Sequence, residues 1–241
     1  MSKIPKNPKD IYEQIINDYK KAFGENLVSI ILYGSSARGE YVYKKSDINF
    51  LIILNDQGIE QLRNALPLIK RWQKRKVSTP LILTEHYIHS SLDSFPIEFL
   101  TMKQYCEVIF GEDILSSIEI NSKDLRLQCE RELRGKLLHL RESYLNTYGN
   151  KRFIKQLLQV SLATFVSIFS ALLHLKEKEA PSSKREIFKL TAEEFDLDYT
   201  VFEKLIKLKE NQIKLNKEQL NQLIEQYIEQ IMKLTIIVDK L

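Results

Sequence analysis

Two apolar runs constrain the fold of this chain more than any other feature. Leu27–Tyr33 (LVSIILY) and Ile48–Leu54 (INFLIIL) flank the segment GSSARGEYVYKKSD. Short runs rich in β-branched and aliphatic residues, bounded by Gly, Ser and Asp, predict buried β-strands. The first strand is expected to end at Gly34-Ser35 and the second to begin beside Asp47 and Asn49.

Helix and strand signals alternate through the first half of the chain and give way to helical spacing alone from about Lys123. The pattern predicts an α/β (α+β) protein, in which residues 1–120 form a domain with a mixed β-sheet and residues 121–241 form an α-helical bundle. The elements predicted in the first domain are a helix at Asp10–Phe23 closed by Gly24, strands at 27–33 and 48–54, a helix at Glu60–Lys74, a strand at Leu81–Leu83, a helix from Thr84 to Ser91, and strands at Pro96–Leu100 and Val108–Phe110.

Composition limits the cellular compartment and the classes of ligand that we expect. The chain has 241 residues, and its 36 Lys and Arg against 32 Asp and Glu leave a formal charge of +4. This small, dispersed excess does not indicate a dedicated nucleic-acid binder, and a small anionic ligand fits it equally well. Two cysteines form neither a disulfide framework nor a metal-ligand spacing, and the polar start predicts no signal peptide. The expected compartment is the cytoplasm.

One segment tests the expectation that the protein does not span a membrane. Residues 157–175 (LLQVSLATFVSIFSALLHL) contain no Asp, Glu, Lys or Arg, so length alone approaches that of a membrane span. Small and polar residues recur in this segment at steps of three and four, which is typical of one stripe on a helix. We therefore predict the central helix of a bundle.

The ends of the two strands carry groups suited to phosphate chemistry. Gly34 has no Cβ, so a turn at Gly34-Ser35 can bring backbone N–H groups close to a phosphate. Asp47 and Asn49 are two residues apart, so on a strand they project from the same face. Their oxygens are ligands that a hard divalent cation prefers.

The segment YGSSARGEYVYKKSDIN resembles the signature of the DNA polymerase beta-type nucleotidyltransferase superfamily. That signature has Gly-Ser after a hydrophobic residue, a spacer of about a dozen residues, and two acidic residues separated by one. The helical second half resembles that of small-molecule nucleotidyltransferases such as the aminoglycoside adenylyltransferases. A group of uncharacterised bacterial proteins with SDIN and FPIEFL segments is similar as well.

The resemblance implies roles for individual residues. Gly34 and Ser35, with Ser36 beside them, would hold a nucleoside triphosphate, for which ATP is the expected choice, and Arg38 would balance its charge. Asp47 would bind Mg²⁺ or Mn²⁺ together with Asn49. The third carboxylate of the family, on a neighbouring strand, matches Glu98 in PIEFL, which would act as a metal ligand or as the general base.

The implied activity is transfer of a nucleoside monophosphate to a hydroxyl of a small-molecule acceptor, with release of pyrophosphate. Asn49 departs from the family pattern, because an amide oxygen replaces a carboxylate and lowers the charge of the metal site. One alternative is therefore a nucleotide-binding or scaffold protein that is weak or inactive in catalysis. Another is a nucleotidyltransferase that modifies a protein or RNA, as in toxin–antitoxin systems. A homodimer through the helical domain is also expected.

Three further patterns have simpler structural interpretations. The basic run Lys70–Lys76 (KRWQKRK) resembles an RNA-binding patch, but a solvated helix end with Trp72 packed inward explains it. His86 and His89 have zinc-ligand spacing without a third ligand nearby, which favours a surface helix. The Arg-x4-His spacing at 134–139 occurs in HEPN-type ribonucleases, but two unrelated surface residues are the preferred interpretation.

Overall fold

The four β-strands found in the described residues all lie in the first half of the chain. The computed structural model describes residues 4–241 and divides into two units, the first ending at Ile120 and the second beginning at Asn121. In the first unit the helices and strands are α1 (Tyr12–Phe23), β1 (Leu27–Tyr33), β2 (Asn49–Leu54), α2 (Asp56–Ile59), α3 (Leu66–Gln73), β3 (Leu81–Thr84), α4 (Glu85–Ser90), α5 (Pro96–Gln104) and β4 (Cys106–Gly111), with short 3-10 turns that include Gly34–Ser36.

The four strands form one mixed sheet in the order β3-β2-β1-β4. β1 pairs antiparallel with both β2 and β4, whereas β2 pairs parallel with β3. Tyr33 at the end of β1 lies opposite Asn49 at the start of β2 and opposite Cys106 at the start of β4. We call this end of the sheet, where β1 ends and β2 and β4 begin, the motif end.

Both faces of the sheet are covered, because side chains along β1 and β2 alternate between two buried clusters. Leu32, Phe50 and Ile52 pack on the face covered by α1 and Trp72. Ile31, Leu51 and Ile53 pack on the opposite face against residues of α4, α5 and the segment 114–118. Asn49 has the same parity as Leu51 and Ile53, so it belongs to this second face.

The predicted strand at Pro96–Leu100 is wrong, because these residues begin helix α5. Pro96 occupies the first turn, where its missing N–H costs nothing. Ile97 and Phe99 alternate as in a strand, but Leu100 and Met102 are buried too, so the segment is apolar on most of its circumference. A buried helix of this kind has no polar face to reveal its period over five residues.

The second unit has helices and no strand between Ser122 and Val238. Its helices are α6 (Ser122–Leu145), α7 (Lys151–Ser161), α8 (Val166–Leu175), α9 (Lys184–Glu194), α10 (Tyr199–Lys209) and α11 (Lys217–Val238), and a 3-10 turn at Leu162–Phe165 joins α7 to α8. The expected fold class, a mixed sheet with helices followed by a helical region, is confirmed.

The apolar segment of the second unit contributes to its core. Lys151–Leu175 is the one stretch in residues 4–241 that is long and apolar enough to cross a membrane, and 56% of its most apolar window is buried. Phe165 and Phe169 belong to a group of packed rings with Phe188, Phe202 and Tyr227. These ring contacts are typical of a central helix in a bundle, which the stripe of small and polar residues predicted.

Candidate active site at one end of the sheet

The Gly34–Ser36 turn begins with a backbone conformation that glycine adopts more readily than any other residue. Gly34 has φ +77°, in the left-handed region that side chains with a Cβ disfavour. Its carbonyl accepts hydrogen bonds from the N–H groups of Ala37 and Arg38, both at 3.1 Å. No side chain caps the N–H groups at the start of the turn, so they are suited to an anion.

Asn49 lies directly against this turn. A Cβ built on Gly34 would be 3.2 Å from the amide nitrogen Nδ2 of Asn49. The two halves of the sequence motif, 15 residues apart, are therefore in contact at the motif end, because β1 and β2 pair with Tyr33 opposite Asn49. The absence of a side chain at Gly34 makes room for the amide.

Asp47 is presented to solvent immediately before β2. Its side chain is 58% exposed, and Oδ1 lies 3.5 Å from Nζ of Lys76. The hydroxyl of Ser36 donates a hydrogen bond to the carbonyl oxygen of Asp47 at 3.4 Å. Ser36 is buried, so its hydroxyl connects the turn to the Asp47 backbone, whereas Ser35 lies nearer the surface.

Lys76 lies beside Asp47, a position that the sequence analysis did not predict. It follows α3 in a left-handed conformation with φ +65°. Its carbonyl accepts a hydrogen bond from the N–H of Ile48 at 2.8 Å, and Ile48 forms a parallel bridge with Val77. This backbone pairing brings the ammonium group to Asp47. The basic run was interpreted only as a solvated helix end, although Trp72 is packed inward as expected, with 2% exposure.

A second cation lies at the same end of the sheet. The guanidinium carbon of Arg38 is 4.0 Å from the centre of the Tyr105 ring. Tyr105 immediately precedes β4, whose first residue pairs with Tyr33. This cation–π contact keeps Arg38, which was predicted to balance phosphate charge, close to the turn that begins at Gly34.

The structure changes the secondary structure that presents the predicted third carboxylate. Glu98 lies on α5 with an exposed side chain, so the neighbouring strand that was to present it does not exist. Glu107 is on β4 at the motif end, but it pairs with Leu32 and faces α1, where it accepts a hydrogen bond from the Tyr12 hydroxyl at 2.9 Å. Burial and this carboxylate raise the pKa of Tyr12. Glu107 therefore does not join Asp47.

Asp47 and Asn49 together offer donors for one hard cation. Asp47 supplies one carboxylate and Asn49 one amide oxygen, and Mg²⁺ in nucleotide sites is held by one or two carboxylates plus phosphate oxygens. In the part of the chain that the structure describes, residues 4–241, no group of three or more His, Cys, Asp or Glu could hold a metal. The His86 and His89 pair on α4 accordingly stays without a third ligand.

Arg134 and His139, whose spacing resembles that of HEPN-type ribonucleases, make ordinary surface contacts. Arg134 donates to Glu130 at 2.8 Å and lies 3.2 Å from Asp239. The His139 side chain is 84% exposed. Arg134 and His139 are therefore separate surface residues, which supports the simpler interpretation of their spacing.

Comparisons with known proteins agree with this geometry. Residues 13–106 match the family model described as a nucleotidyltransferase domain. This range contains the Gly34–Ser36 turn, Asp47, Asn49 and Lys76. Residues 13–106 are therefore similar to a nucleotidyltransferase domain, and the resemblance that the sequence motif suggested is confirmed. No curated protein matches the chain significantly.

A solved structure extends the likeness of fold to the helical half. The crystal structure of spectinomycin adenyltransferase AAD(9) from Enterococcus faecialis, with ATP and spectinomycin, matches 94% of this chain and 100% of its own chain at 15% identity, with a TM-score of 0.54. At this identity the match shows a shared fold. The domain match supports nucleotidyl transfer as the general class of chemistry.

Proposed function

We propose that the protein transfers a nucleoside monophosphate from ATP to a hydroxyl of a small-molecule acceptor. In this reaction the acceptor oxygen forms a bond to the α-phosphorus, and the bond from that phosphorus to the α,β-bridging oxygen breaks. Pyrophosphate leaves, and the acceptor proton passes to solvent or to a base. The contact between Asn49 and the side-chain-free Gly34 carries the proposal, because it brings the two parts of the motif into one site.

The turn and two cations form the proposed triphosphate site. Gly34 and Ser35 offer backbone N–H groups, and Arg38 and Lys76 lie at the same end of the sheet. Phosphate oxygens are best satisfied by several donors and by positive charge, because a triphosphate carries several negative charges in a small volume. Lys76 would exchange its contact with Asp47 for a phosphate when ATP binds.

Asp47 and Asn49 would hold one Mg²⁺ or Mn²⁺ together with the phosphates. Such a cation, when bound, neutralises charge that develops on the leaving pyrophosphate and polarises the α-phosphate. The chain's own contribution is to fix both oxygens beside Gly34 through the β1–β2 pairing. We assign no general base. Glu98, to which the resemblance gave this role, lies on helix α5 and not on the predicted strand.

The supporting comparison also suggests the first acceptor to test. AAD(9) was crystallised with ATP and spectinomycin, so spectinomycin and other hydroxyl-bearing small molecules are suitable probes for this chain. A cytoplasmic location, where ATP and Mg²⁺ are abundant, fits the proposal. The predicted homodimer through the second unit stays a prediction that light scattering can check.

Radiolabelled ATP separates transfer from binding. With ATP labelled at the α-phosphate, transfer moves the label to the acceptor, whereas a label at the γ-phosphate appears in pyrophosphate. Asp47→Ala is expected to abolish both transfer and Mg²⁺-dependent ATP binding while the protein stays folded. Asp56→Ala, at the opposite end of β2 and also exposed, is the matched control and should retain both.

A second candidate, nucleotide binding without transfer, is favoured by Asn49, which supplies an amide where the family pattern has a carboxylate. ATP binding that depends on Asp47, without label transfer to any acceptor, would support this candidate. Absence of ATP binding by the folded wild-type protein would refute both. Glu98→Gln is a useful addition, since loss of transfer with ATP binding retained would give Glu98 a role from α5.

A further inference from the structure

Helices α6 and α11 of the second unit lie side by side and run antiparallel. Near one end of the pair, Nη1 of Arg126 donates a hydrogen bond to the carbonyl oxygen of Val238 at 3.2 Å. Near the other end, the Tyr144 hydroxyl donates to the side-chain oxygen of Asn221 at 3.0 Å. Because these contacts fix how the two helices are aligned, residues near Arg126 are level with residues near Val238, and residues near Tyr144 are level with residues near Asn221.

Each of these helices also has an exposed stripe whose residues follow one another at steps of four and three. Such steps place side chains on one side of a helix and are typical of the contact seam in helical bundles. The stripe of α6 consists of Leu127, Arg131, Arg134, Leu138, Arg141 and Leu145. The stripe of α11 consists of Glu218, Gln222, Glu225, Glu229, Met232 and Ile236. All of these residues are exposed, with Leu138 at 65% and Leu145 at 74%.

The two stripes form one face, which we call the α6–α11 face. They border one another where the Arg141 guanidinium lies 3.4 Å from Sδ of Met232. With helices of 24 and 22 residues, the face is about 33 Å long and about 20 Å wide, or roughly 650 Å² on each copy of the chain. This area approaches the ~800 Å² that each partner buries in a specific interface of standard size.

The apolar residues of this face follow a regular pattern. Leu127, Leu138 and Leu145 lie on the stripe of α6, and Met232 and Ile236 lie on the stripe of α11. Single exposed apolar residues are common on soluble proteins, whereas several of them together on one face mark an interaction surface. The pattern therefore indicates that another surface covers the α6–α11 face.

The charged residues of the two stripes have opposite signs, because α6 contributes three arginines and α11 three glutamates. Arg134 is already paired with Glu130 of its own helix, with 2.8 Å between Nε and a carboxylate oxygen. The Arg141 guanidinium contacts the thioether of Met232, which is a weak acceptor. A partner that complements this face needs an acidic row opposite α6, a basic row opposite α11, and apolar residues among the charges. The α6–α11 face itself meets this description.

We propose that the α6–α11 face binds the same face of a second copy of this chain, with α6 of each copy against α11 of the other. The two-fold axis of this dimer runs parallel to the helices, so each residue keeps its level along them. Leu127 then meets Ile236 of the second copy, and Arg141 meets Glu225, because the contacts within one copy align these residues. The interface uses the second unit alone and does not depend on the proposed function.

Charge selects this arrangement over the other two-fold arrangement of the same face. An axis perpendicular to the helices would place α6 against α6 and α11 against α11. Arginines would then lie against arginines and glutamates against glutamates, and like charges brought together in an interface cost free energy. The parallel axis instead places the basic stripe of each copy against the acidic stripe of the other.

Sedimentation equilibrium of the full chain, which has a mass of 28.4 kDa, tests the proposal. The average mass should rise towards twice that value between low and high micromolar concentrations. Leu138→Lys places a charge among the apolar residues of the interface and should weaken association by about tenfold or more. Val160→Lys is the matched control, because Val160 is 62% exposed on α7 and lies outside both stripes. This variant should associate as the wild type does.

A charge exchange identifies the residues that meet across the interface. Arg141→Glu and Glu225→Arg should each weaken association by about tenfold, and the two substitutions together should restore it. In the perpendicular arrangement, Arg141→Glu alone would strengthen association, because it would remove repulsion between the two α6 helices. Far-UV circular dichroism of each variant ensures that folded proteins are compared.

The proposal is overturned if the wild type keeps a mass of 28.4 kDa at every concentration, or if Leu138→Lys associates as the wild type does. Equal weakening by Leu138→Lys and Val160→Lys, or no recovery in the double charge variant, would also contradict it. If Leu138→Lys does not fold, the charge exchange decides alone. Nucleotide transfer by a protein that stays monomeric would refute this dimer and leave the proposed function intact.

Discussion

Replacement of Gly34 by alanine tests whether the turn is a binding element or only a turn. Gly34 has φ +77°, and its added Cβ would lie 3.2 Å from Nδ2 of Asn49. Gly24, at the end of α1, is the matched control because it has φ +57° and no atom within 4 Å of a built Cβ. Gly24 precedes β1 and Gly34 follows it, so the two glycines lie at opposite ends of one strand.

The structure separates a backbone cost from a contact cost. A residue with a Cβ at positive φ costs about 1–2 kcal/mol, and both substitutions incur this cost. Only Gly34→Ala also displaces the Asn49 amide, which adds about 0.5–1.5 kcal/mol if that side chain leaves its preferred rotamer. At roughly 4 °C per kcal/mol for a unit of this size, Gly34→Ala should lower Tm by about 6–14 °C and Gly24→Ala by about 4–8 °C.

Binding should distinguish the two variants more sharply than stability does. Titration calorimetry with ATP and Mg²⁺ is expected to show at least a tenfold loss of affinity for Gly34→Ala, because the methyl group obstructs backbone approach to phosphate and moves Asn49. Gly24→Ala should bind ATP normally. In an Asn49→Ala background, the part of the Gly34→Ala destabilisation that comes from the amide contact should disappear.

The reasoning is refuted if Gly34→Ala is folded and binds ATP like the wild type, since Gly34 would then be only a turn residue. Equal loss of ATP affinity in Gly24→Ala would also contradict it, because a general loosening of the first unit would explain both. Thermal unfolding measured alongside each titration ensures that affinities of folded protein are compared.

Three further predictions concern charge. Asn49→Asp should tighten Mg²⁺-dependent ATP binding and raise the transfer rate. A second carboxylate adds an attraction to the cation of up to about 4 kcal/mol at 4 Å before desolvation, and desolvation removes most of this gain. Unchanged Mg²⁺ affinity would mean that Asn49 does not face the metal. Lys76→Met should lower ATP affinity several-fold, most strongly at low salt. It should change the free energy of unfolding by less than about 1 kcal/mol, because the ion pair between Lys76 and Asp47 is exposed. Lys74→Met should have neither effect. Hydrogen bonds from Arg134 and Arg126 lower the pKa of Glu130 below that of an ordinary glutamate. The stability that this group contributes is therefore present above the pKa of the unfolded state and is lost as pH falls through the folded-state pKa. The urea midpoint of Glu130→Gln should accordingly fall less steeply in acid than that of the wild type.

Local sequence patterns determined much of the first unit and of the candidate site. The apolar runs predicted β1 and β2, and the Gly34-Ser35 and Asp47-x-Asn49 segments predicted where the strands meet. These features can be read from sequence because φ at a glycine, strand alternation and helix spacing depend on neighbouring residues. The change at about Lys123 from alternating to helical signals predicted the helical half for the same reason.

Tertiary structure decided what local pattern left ambiguous. PIEFL forms the start of α5 because Leu100 and Met102 are buried in addition to Ile97 and Phe99, and only the surrounding packing shows which faces are covered. The proposed third carboxylate was assigned to a strand for lack of that information.

Non-local pairing decided the rest. Lys76 reaches Asp47 because Val77 forms a parallel bridge with Ile48, a pairing across 29 residues that no periodicity reports. A cavity of about 370 Å³ in the second unit likewise combines Ala163, Lys184 and Lys209 from three separate segments. Sequence determines which residues can form a strand or a helix, but the packing of distant segments determines which charges meet, because side chains far apart in the chain approach only once the core is formed.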